Sequence, residues 1–473
     1  TSTDKVTYTS ISTNVVSTTQ TVTVQTTQTI TTTSTDATKL WQVKYSGVTL
    51  GTITASGVTG SVIAINTLDD LVNLQTLVNN GNNMSGKTFL LMDDIDLSSI
   101  DNWTPIGKET DFAGSFDGLG HTIRGMKVLS ISNAGFFGNL NDSSDNGTTL
   151  IQEIKNLNFE NCTVNGVFDG NGDVRVGVVA AYSKRVFFSG ISVTSSTALV
   201  QNTSSVSIKS AAGGIVATSV GSVFSSISAK DIEVRNFQSL GSAGGIVGEA
   251  NKDDASNQIT AIVSSSVNLK GLAGYYAGGL AGLLPNDTGS LGLEENLVTG
   301  NITQAYNNNY VGGFIGYVGT LKNPTFNITN NVENVTFSYK NVSKVGHIVG
   351  NNNIVYENIV NKNLISNTAL RDDSSYASCQ KITNLSTQLK DLGFDSQTWS
   401  YKNGTHNSLV LSDYTLYTRG DSSWAWGELN FNGNTTIADL SAYGSVLTRN
   451  NTFAWSSSYK SSDLAMGGLY TLL

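Results

Sequence analysis

The chain has 473 residues, of which 39% are apolar and 13% charged, with 48 glycines and 3 prolines. A charged fraction near half of the ordinary value, with this much glycine and so little proline, excludes a helical bundle, a coiled coil and a collagen. Its 27 basic against 36 acidic residues leave a formal net charge of −9 without a basic run, which excludes a surface built to neutralise phosphates, so nucleic acid is no expected partner.

No stretch of 18 apolar residues occurs, so no segment reads as a membrane-spanning helix. The chain starts at Thr1 without a charged-then-apolar leader, as a secreted protein does after leader removal or as an engineered start does. Its polar residues are mostly Thr, Ser and Asn, which lose freedom or compete for backbone bonds in a helix and so favour strands and turns. The expectation is an all-β, extracellular protein. Cys162 and Cys379 stand far apart, leaving room for one long-range bridge and none for a disulfide framework.

Residues 1–38 contain 17 threonines and no glycine, and Val6, Tyr8, Val16, Val22, Val24 and Ile30 all fall on even numbers. Period two describes one face of an extended strand, while the composition equally describes an O-glycosylated Ser/Thr tract. An ordered single strand must find a backbone partner, either its own domain or another copy of the chain. Strand donation through Val16, Val22, Val24 and Ile30 would join copies head to tail, a contact that does not close and so builds a filament.

Residues 39–65 alternate apolar and small polar residues between glycines and read as short strands. From Thr67 to Asn79 the period changes. Leu68, Leu71, Val72, Gln75 and Val78 share a helical face, Thr67 is an N-cap, Asp69 and Asp70 suit the positive end of the dipole, and Gly81 stops the helix. One amphipathic helix is expected there, covering the apolar end of a stack.

A glycine-rich hexad then recurs as Val176–Ala181, Ala212–Ala217, Ala243–Gly248, Ala277–Gly282, Val311–Gly316 and Val345–Gly350, with a shortened copy at Ala134–Gly138. Gly177, Gly213, Gly244, Gly278, Gly312 and Gly346 follow at intervals of 36, 31, 34, 34 and 34. A fixed period of this size marks stacked units, and the segments between, such as SVFSSISAKDIEV, alternate with period two. Each unit is therefore two or three short strands.

At these residues the chain resembles the surface proteins that carry GLUG repeats on a right-handed parallel β-helix. The likeness runs from about Thr67 to Ser412 and includes SGKTFLLMDDIDLSSIDNWTPIG, then FAGSFDGLGHTIRGMKV over Phe112–Val128, and a closing segment over Leu392–Leu411. It implies adhesins, exported filament proteins, surface-layer-like components and noncatalytic parts of large proteases. A weaker resemblance, to the Ca²⁺ loop of dockerin-type repeats, lies in ELNFNGNTTIADL. There Glu428, Asn430, Asn432, Asn434, Thr436 and Asp439 take the ligand positions and Gly433 the sharp turn. Only one such loop is present, and asparagine lowers its charge. Asp169, Asn171 and Asp173 in DGNGD form a second set of alternating oxygen donors, suited either to Ca²⁺ or to an Asx turn.

Catalytic chemistry is thinly represented. His121, His347 and His406 belong to no H-E-x-x-H helix, no G-x-S-x-G elbow occurs, and His121 and His347 read as structural residues within strands. The acids Asp93, Asp94, Asp96, Asp117, Glu294 and Glu295 fit strand ends and turns better than a pair facing a basic residue across coils. The expectation is no enzyme and no required cofactor, with Ca²⁺ the one ion that the loops would take. A polysaccharide lyase or hydrolase on the β-helix stays as the weaker alternative.

Arg419, Gly420 and Asp421 spell an integrin-type tripeptide, and Trp424, Trp426 and Trp455 could either stack on sugars or pack a small domain. Fifteen N-x-S/T sequons are acceptors wherever the source glycosylates: Asn83, Asn102, Asn141, Asn146, Asn161, Asn202, Asn286, Asn301, Asn327, Asn334, Asn341, Asn384, Asn403, Asn434 and Asn450. The expected layout is an extended arm (1–38), a short β segment (39–65), a capping helix with a right-handed parallel β-helix (66–412) and a small β-rich C-terminal domain (413–473). The expected role is structural or adhesive at the cell exterior. Its expected partners are other copies of the chain or surface glycans.

Overall fold

The computed structural model describes residues 2–15, 20–34, 40–41, 51–54, 57–58, 62–141, 152–167, 172–201, 209–253, 259–286, 289, 291–320, 326–351, 360–371, 379–383, 388, 392, 399–402, 408–411, 416–418, 425–427, 447–449 and 452–454. Its body is a parallel β-helix of about six turns. Among the described residues four parallel sheets hold 10, 13, 7 and 6 strands. One coil shows the path: Val186–Ser189 in the first sheet, Ser192–Thr194 and Thr197–Gln201 in the second, Ser210–Gly213 in the third and Val216–Val220 in the fourth. Each unit thus crosses four faces rather than the two or three strands that the repeat suggests.

Period two within each strand sends alternate residues inward, and parallel register stacks like on like. Phe116, Ile154, Phe188, Phe224, Ile262, Leu293 and Ile328 form one such inward column on the first sheet. All are buried, and Phe188 and Phe224 stack with centroids 4.8 Å apart. Towards the N-terminal end the core is aromatic: Trp103 stacks on Phe136 at 5.6 Å and donates its indole N–H to the Phe136 carbonyl.

The hexads are the corners between the third and fourth sheets. Gly177, Gly213, Gly244, Gly278, Gly312 and Gly346 pair successively in register. Left-handed backbone is not the reason for glycine here. At Gly213, Gly244 and Gly312 a Cβ would lie 1.9 Å from the carbonyl oxygen three residues on, at Val216, Val247 and Ile315. At the next position, Gly214, Gly245 and Gly279 would each set a Cβ 2.1 Å from a carbonyl of the following coil. Two glycines in succession are therefore the condition for a corner that turns tightly and stacks tightly.

The corner between the first and second sheets does use positive φ, at Asn156, Gly190, Ser226, Ser264, Glu295, Asn330 and Lys362. The residue after it points inward. In early coils it is Leu157, Ile191 or Ile227, and in later ones Ser265, Asn296, Asn331 and Asn363. These asparagines form a ladder in which the side-chain oxygen of Asn331 accepts from the Asn296 backbone at 3.0 Å and that of Asn363 accepts from the Asn331 backbone at 2.9 Å.

The helix spans Leu68–Asn79 and is closed by a capping box between Thr67 and Asp70. Its buried face is Leu71, Leu74 and Val78, whereas Gln75, expected inward, is half-buried and donates to the Thr104 carbonyl. The Asn79 side chain binds Pro105, Gly107 and Lys108, tying the helix end to the first coil. Val62–Ile65 already pairs in parallel with Thr88–Leu91, so the solenoid begins before the helix.

Ser2–Val15 and Gln20–Ser34 pair with each other as an antiparallel ladder, with Val6 opposite Ile30, Ile11 opposite Val24 and Thr13 opposite Val22. A register shift at Ser10/Ile11 restores alignment where apolar residues leave the even positions. These two strands satisfy the backbone demand that a lone arm would carry to another copy. Val16 lies outside the described residues. Trp399–Lys402 pairs with Ser408–Leu411 in the closing segment. Cys162 and Cys379 are not joined in a disulfide, so the long-range bridge does not form.

Candidate functional site

Alanines at Ala212, Ala243 and Ala277 face the core, so the residue before each presents its side chain on the other side of the third sheet. That outward column, in register, is Arg175, Ala211, Ser242, Tyr276 and Tyr310. After Arg175 it is small at Ala211 and Ser242 and then aromatic. Tyr276 and Tyr310 meet Tyr317 of the fourth sheet, with centroids 4.6 and 4.9 Å away, and Tyr275 meets Tyr276 edge-on at 4.8 Å. Burial pushes the Tyr276 phenol up to about 12, with Tyr275, Tyr317 and Tyr310 adding to the effect. The Tyr276 hydroxyl therefore stays neutral at physiological pH and remains a donor.

Beside this cluster the loops joining the second and third sheets in three successive coils enclose an open depression of about 330 Å³. Its lining is Asn236, Phe237, Gln238 and Ser239 from one coil, Ala273, Gly274 and Tyr275 from the next, and Ala305, Tyr306, Asn308 and Asn309 from the third. Phe237 and Tyr306 expose 46% and 67% of their surface, far more than a packing role requires.

The amides below are fixed. Asn236 donates to the Ser242 carbonyl and accepts from Ser210, and Asn309 donates to the Gly274 carbonyl at 2.9 Å. Gln238 is 2% exposed, and its Nε2 donates to the Gln201 carbonyl at 3.1 Å. Its Oε1 is buried and has no hydrogen-bond partner. A buried acceptor left unmatched costs about 1–3 kcal/mol.

Two lysines edge the depression. Lys344 lies 4.4 Å over the Tyr310 ring and reaches the Asn308 carbonyl, and Lys340 lies 5.8 Å over the Tyr306 ring. The lining holds no carboxylate, so the acid pair that glycoside hydrolysis uses is not in this pocket. Exposed rings, fixed amides and hydroxyls are the kinds of group with which proteins stack on and hydrogen-bond polyhydroxylated ligands.

The residues singled out from sequence lie elsewhere. Asp94 accepts from Arg124 and from the Thr122 backbone and sits 3.3 Å from His121 Nδ1, so it ties strands of adjacent coils. His347 is buried, with Nδ1 at 2.5 Å from Glu333 and Nε2 at 3.0 Å from Lys381. Glu333 occupies the inward column that Val298 fills one coil earlier. Glu333 and His347 fill the C-terminal end of the described core, and Lys381 beside them is half-buried. Asp173 bonds Arg175 at 2.9 Å, while Asp169 and Asn171 lie outside the described residues.

The dockerin-like residues Glu428, Asn430, Asn432, Asn434 and Asp439 also lie outside them, as do Arg419–Asp421, Trp424 and Trp455. Among the described residues no three His, Cys, Asp or Glu side chains gather as a metal site. Of the sequons, Asn102, Asn161, Asn286 and Asn301 are exposed and Asn83, Asn141, Asn334 and Asn341 half-buried, whereas Asn146, Asn202, Asn384, Asn403, Asn434 and Asn450 and the side chain of Asn327 are outside the description. The tyrosines were missed, although Tyr276 and Tyr310 stand in the same place before successive hexads.

No family model matches the chain, and no curated protein does. Membership of the GLUG or dockerin groups is accordingly not shown. Among solved structures, a Bacteroides ovatus protein provisionally named an immunoglobulin A1 protease is similar at 18% identity and a TM-score of 0.44, covering 74% of this chain and 91% of that one. A structure named IgA1 protease is similar at 13% identity and a TM-score of 0.41, and the match covers 79% of this chain but 26% of that one. The expectation that the chain is no enzyme is corrected here: both neighbours carry a protease name, and an enzymatic role is open. Likeness at this level transfers no substrate and no residue role. Among the described residues no helix is long and apolar enough to cross a membrane.

Proposed function

We propose that the chain is an extracellular carbohydrate-binding β-solenoid, with its site in the tyrosine and amide pocket between the second and third sheets. The observation that carries this reading is the pair of exposed rings, Phe237 and Tyr306, set among the fixed amides of Asn236, Gln238 and Asn309 in one pocket. Sugars offer both halves of the complement, an apolar face for the rings and hydroxyls for the amides. The register of the glycine corners supports the resemblance to GLUG-repeat surface proteins, in which such solenoids work outside the cell. Binding of this kind serves an adhesive scaffold and the targeting part of an enzyme alike.

A glycan microarray probed with the intact chain tests the reading. The expected result is a defined set of bound glycans, with Tyr275→Ala and Tyr306→Ala each weakening binding about tenfold. An array without signal, or binding unchanged in both variants, would overturn it.

A further inference from the structure

Resting on that reading, we infer that the pocket selects anionic carbohydrates, whose carboxylate or sulfate groups meet Lys340 and Lys344. The protein as a whole is acidic, with 36 Asp and Glu against 27 Lys and Arg, yet the pocket lining holds no acidic side chain. The two lysines stand over Tyr306 and Tyr310, and neither forms an ion pair among the described residues.

Some cations elsewhere are matched, while others, Lys127, Lys230 and Lys270 among them, form no ion pair among the described residues. Arg235, just before the pocket, bonds Glu233 at 2.6 Å, Lys209 bonds Glu249 at 3.1 Å, and Arg175 bonds Asp173 at 2.9 Å. Two unmatched cations on the rim of an uncharged pocket, in a negatively charged molecule, are a local potential that an anionic sugar would meet and a neutral one would not use. Lys344 is held in place by the Asn308 carbonyl and the Tyr310 ring, so its ammonium stays at the rim.

Calorimetric titration of the intact chain compares three probes of equal length: neutral chitohexaose, an oligogalacturonate hexamer and a chondroitin sulfate hexasaccharide. At least one acidic probe is expected to bind tenfold or more tightly than the neutral one, with the advantage shrinking as salt rises. That ratio should fall to near one in the Lys340→Gln/Lys344→Gln double variant and stay unchanged in Lys127→Gln, an exposed lysine outside the pocket. The carboxylated and sulfated probes tell which anion is preferred. Equal binding of neutral and acidic probes, or a preference that survives the double variant, overturns anion selection and leaves carbohydrate binding standing. Absence of binding by all three probes, together with a silent microarray, overturns both.

Discussion

Asp117 is a carboxyl group sealed inside the first coils, 3% exposed, in a turn where its Oδ1 accepts from the Leu119 backbone and the Asn156 amide. Burial raises its affinity for a proton, against the opposing pull of Lys155. The native state therefore holds this proton to higher pH than the unfolded chain. Between the ordinary aspartate range near about 4 and the raised native value, folding stability falls as pH rises. Asp117→Asn keeps an oxygen acceptor and removes the titration. The melting temperature of the variant relative to the parent should climb from about pH 4 upward and then level off; an offset independent of pH would contradict the assignment. Gln238 is the other telling residue, because its amide ties one coil to the next through the Gln201 carbonyl where three coils line one pocket.

Among the elements, the glycine corner decides the fold. The first glycine clears a carbonyl of its own coil and the second a carbonyl of the next, so substitution forces backbone rather than side chain to move. Gly244→Ala should cost about 3 kcal/mol or more in urea unfolding. Gly271→Ala, where the nearest atom is 3.8 Å from the added Cβ, should stay within about 0.5 kcal/mol. Equal effects would contradict the carbonyl account.

Spacing in the sequence was enough to find these glycines, but it could not say why they are needed, since the clash arises only when the corner closes. The helix was legible through Thr67 and Asp70. Its buried face was misjudged by one position, at Gln75 instead of Leu74, because both lie near the edge of the apolar stripe. His347 departs visibly from the hexad pattern in VGHIVG. Its reason is topological: Val345–Gly346 is the last described strand of the third sheet, so no described strand follows to contest the space its ring takes.

At the scale of the whole molecule, stacking converts a sequence period into lines of function. Parallel register places Tyr276 above Ser242 and Tyr310 above Tyr276, while loops of unequal length carry Phe237, Tyr275 and Tyr306 to one pocket. The column was present in the sequence at a constant offset from the hexads. The convergence of the loops was not, because 236–242 and 303–310 have no shared pattern until the coils close. The paired strands Ser2–Val15 and Gln20–Ser34 bear on assembly in the same way, since strand addition to another copy would use an outer edge of that ladder.

The most direct test of the central claim is a crystal structure of the intact chain soaked with the tightest-binding oligosaccharide. The account predicts sugar density against Tyr275 and Tyr306, over the fixed amides of Asn236, Gln238 and Asn309. Sugar density on another face, with this pocket empty at a saturating concentration, would contradict it.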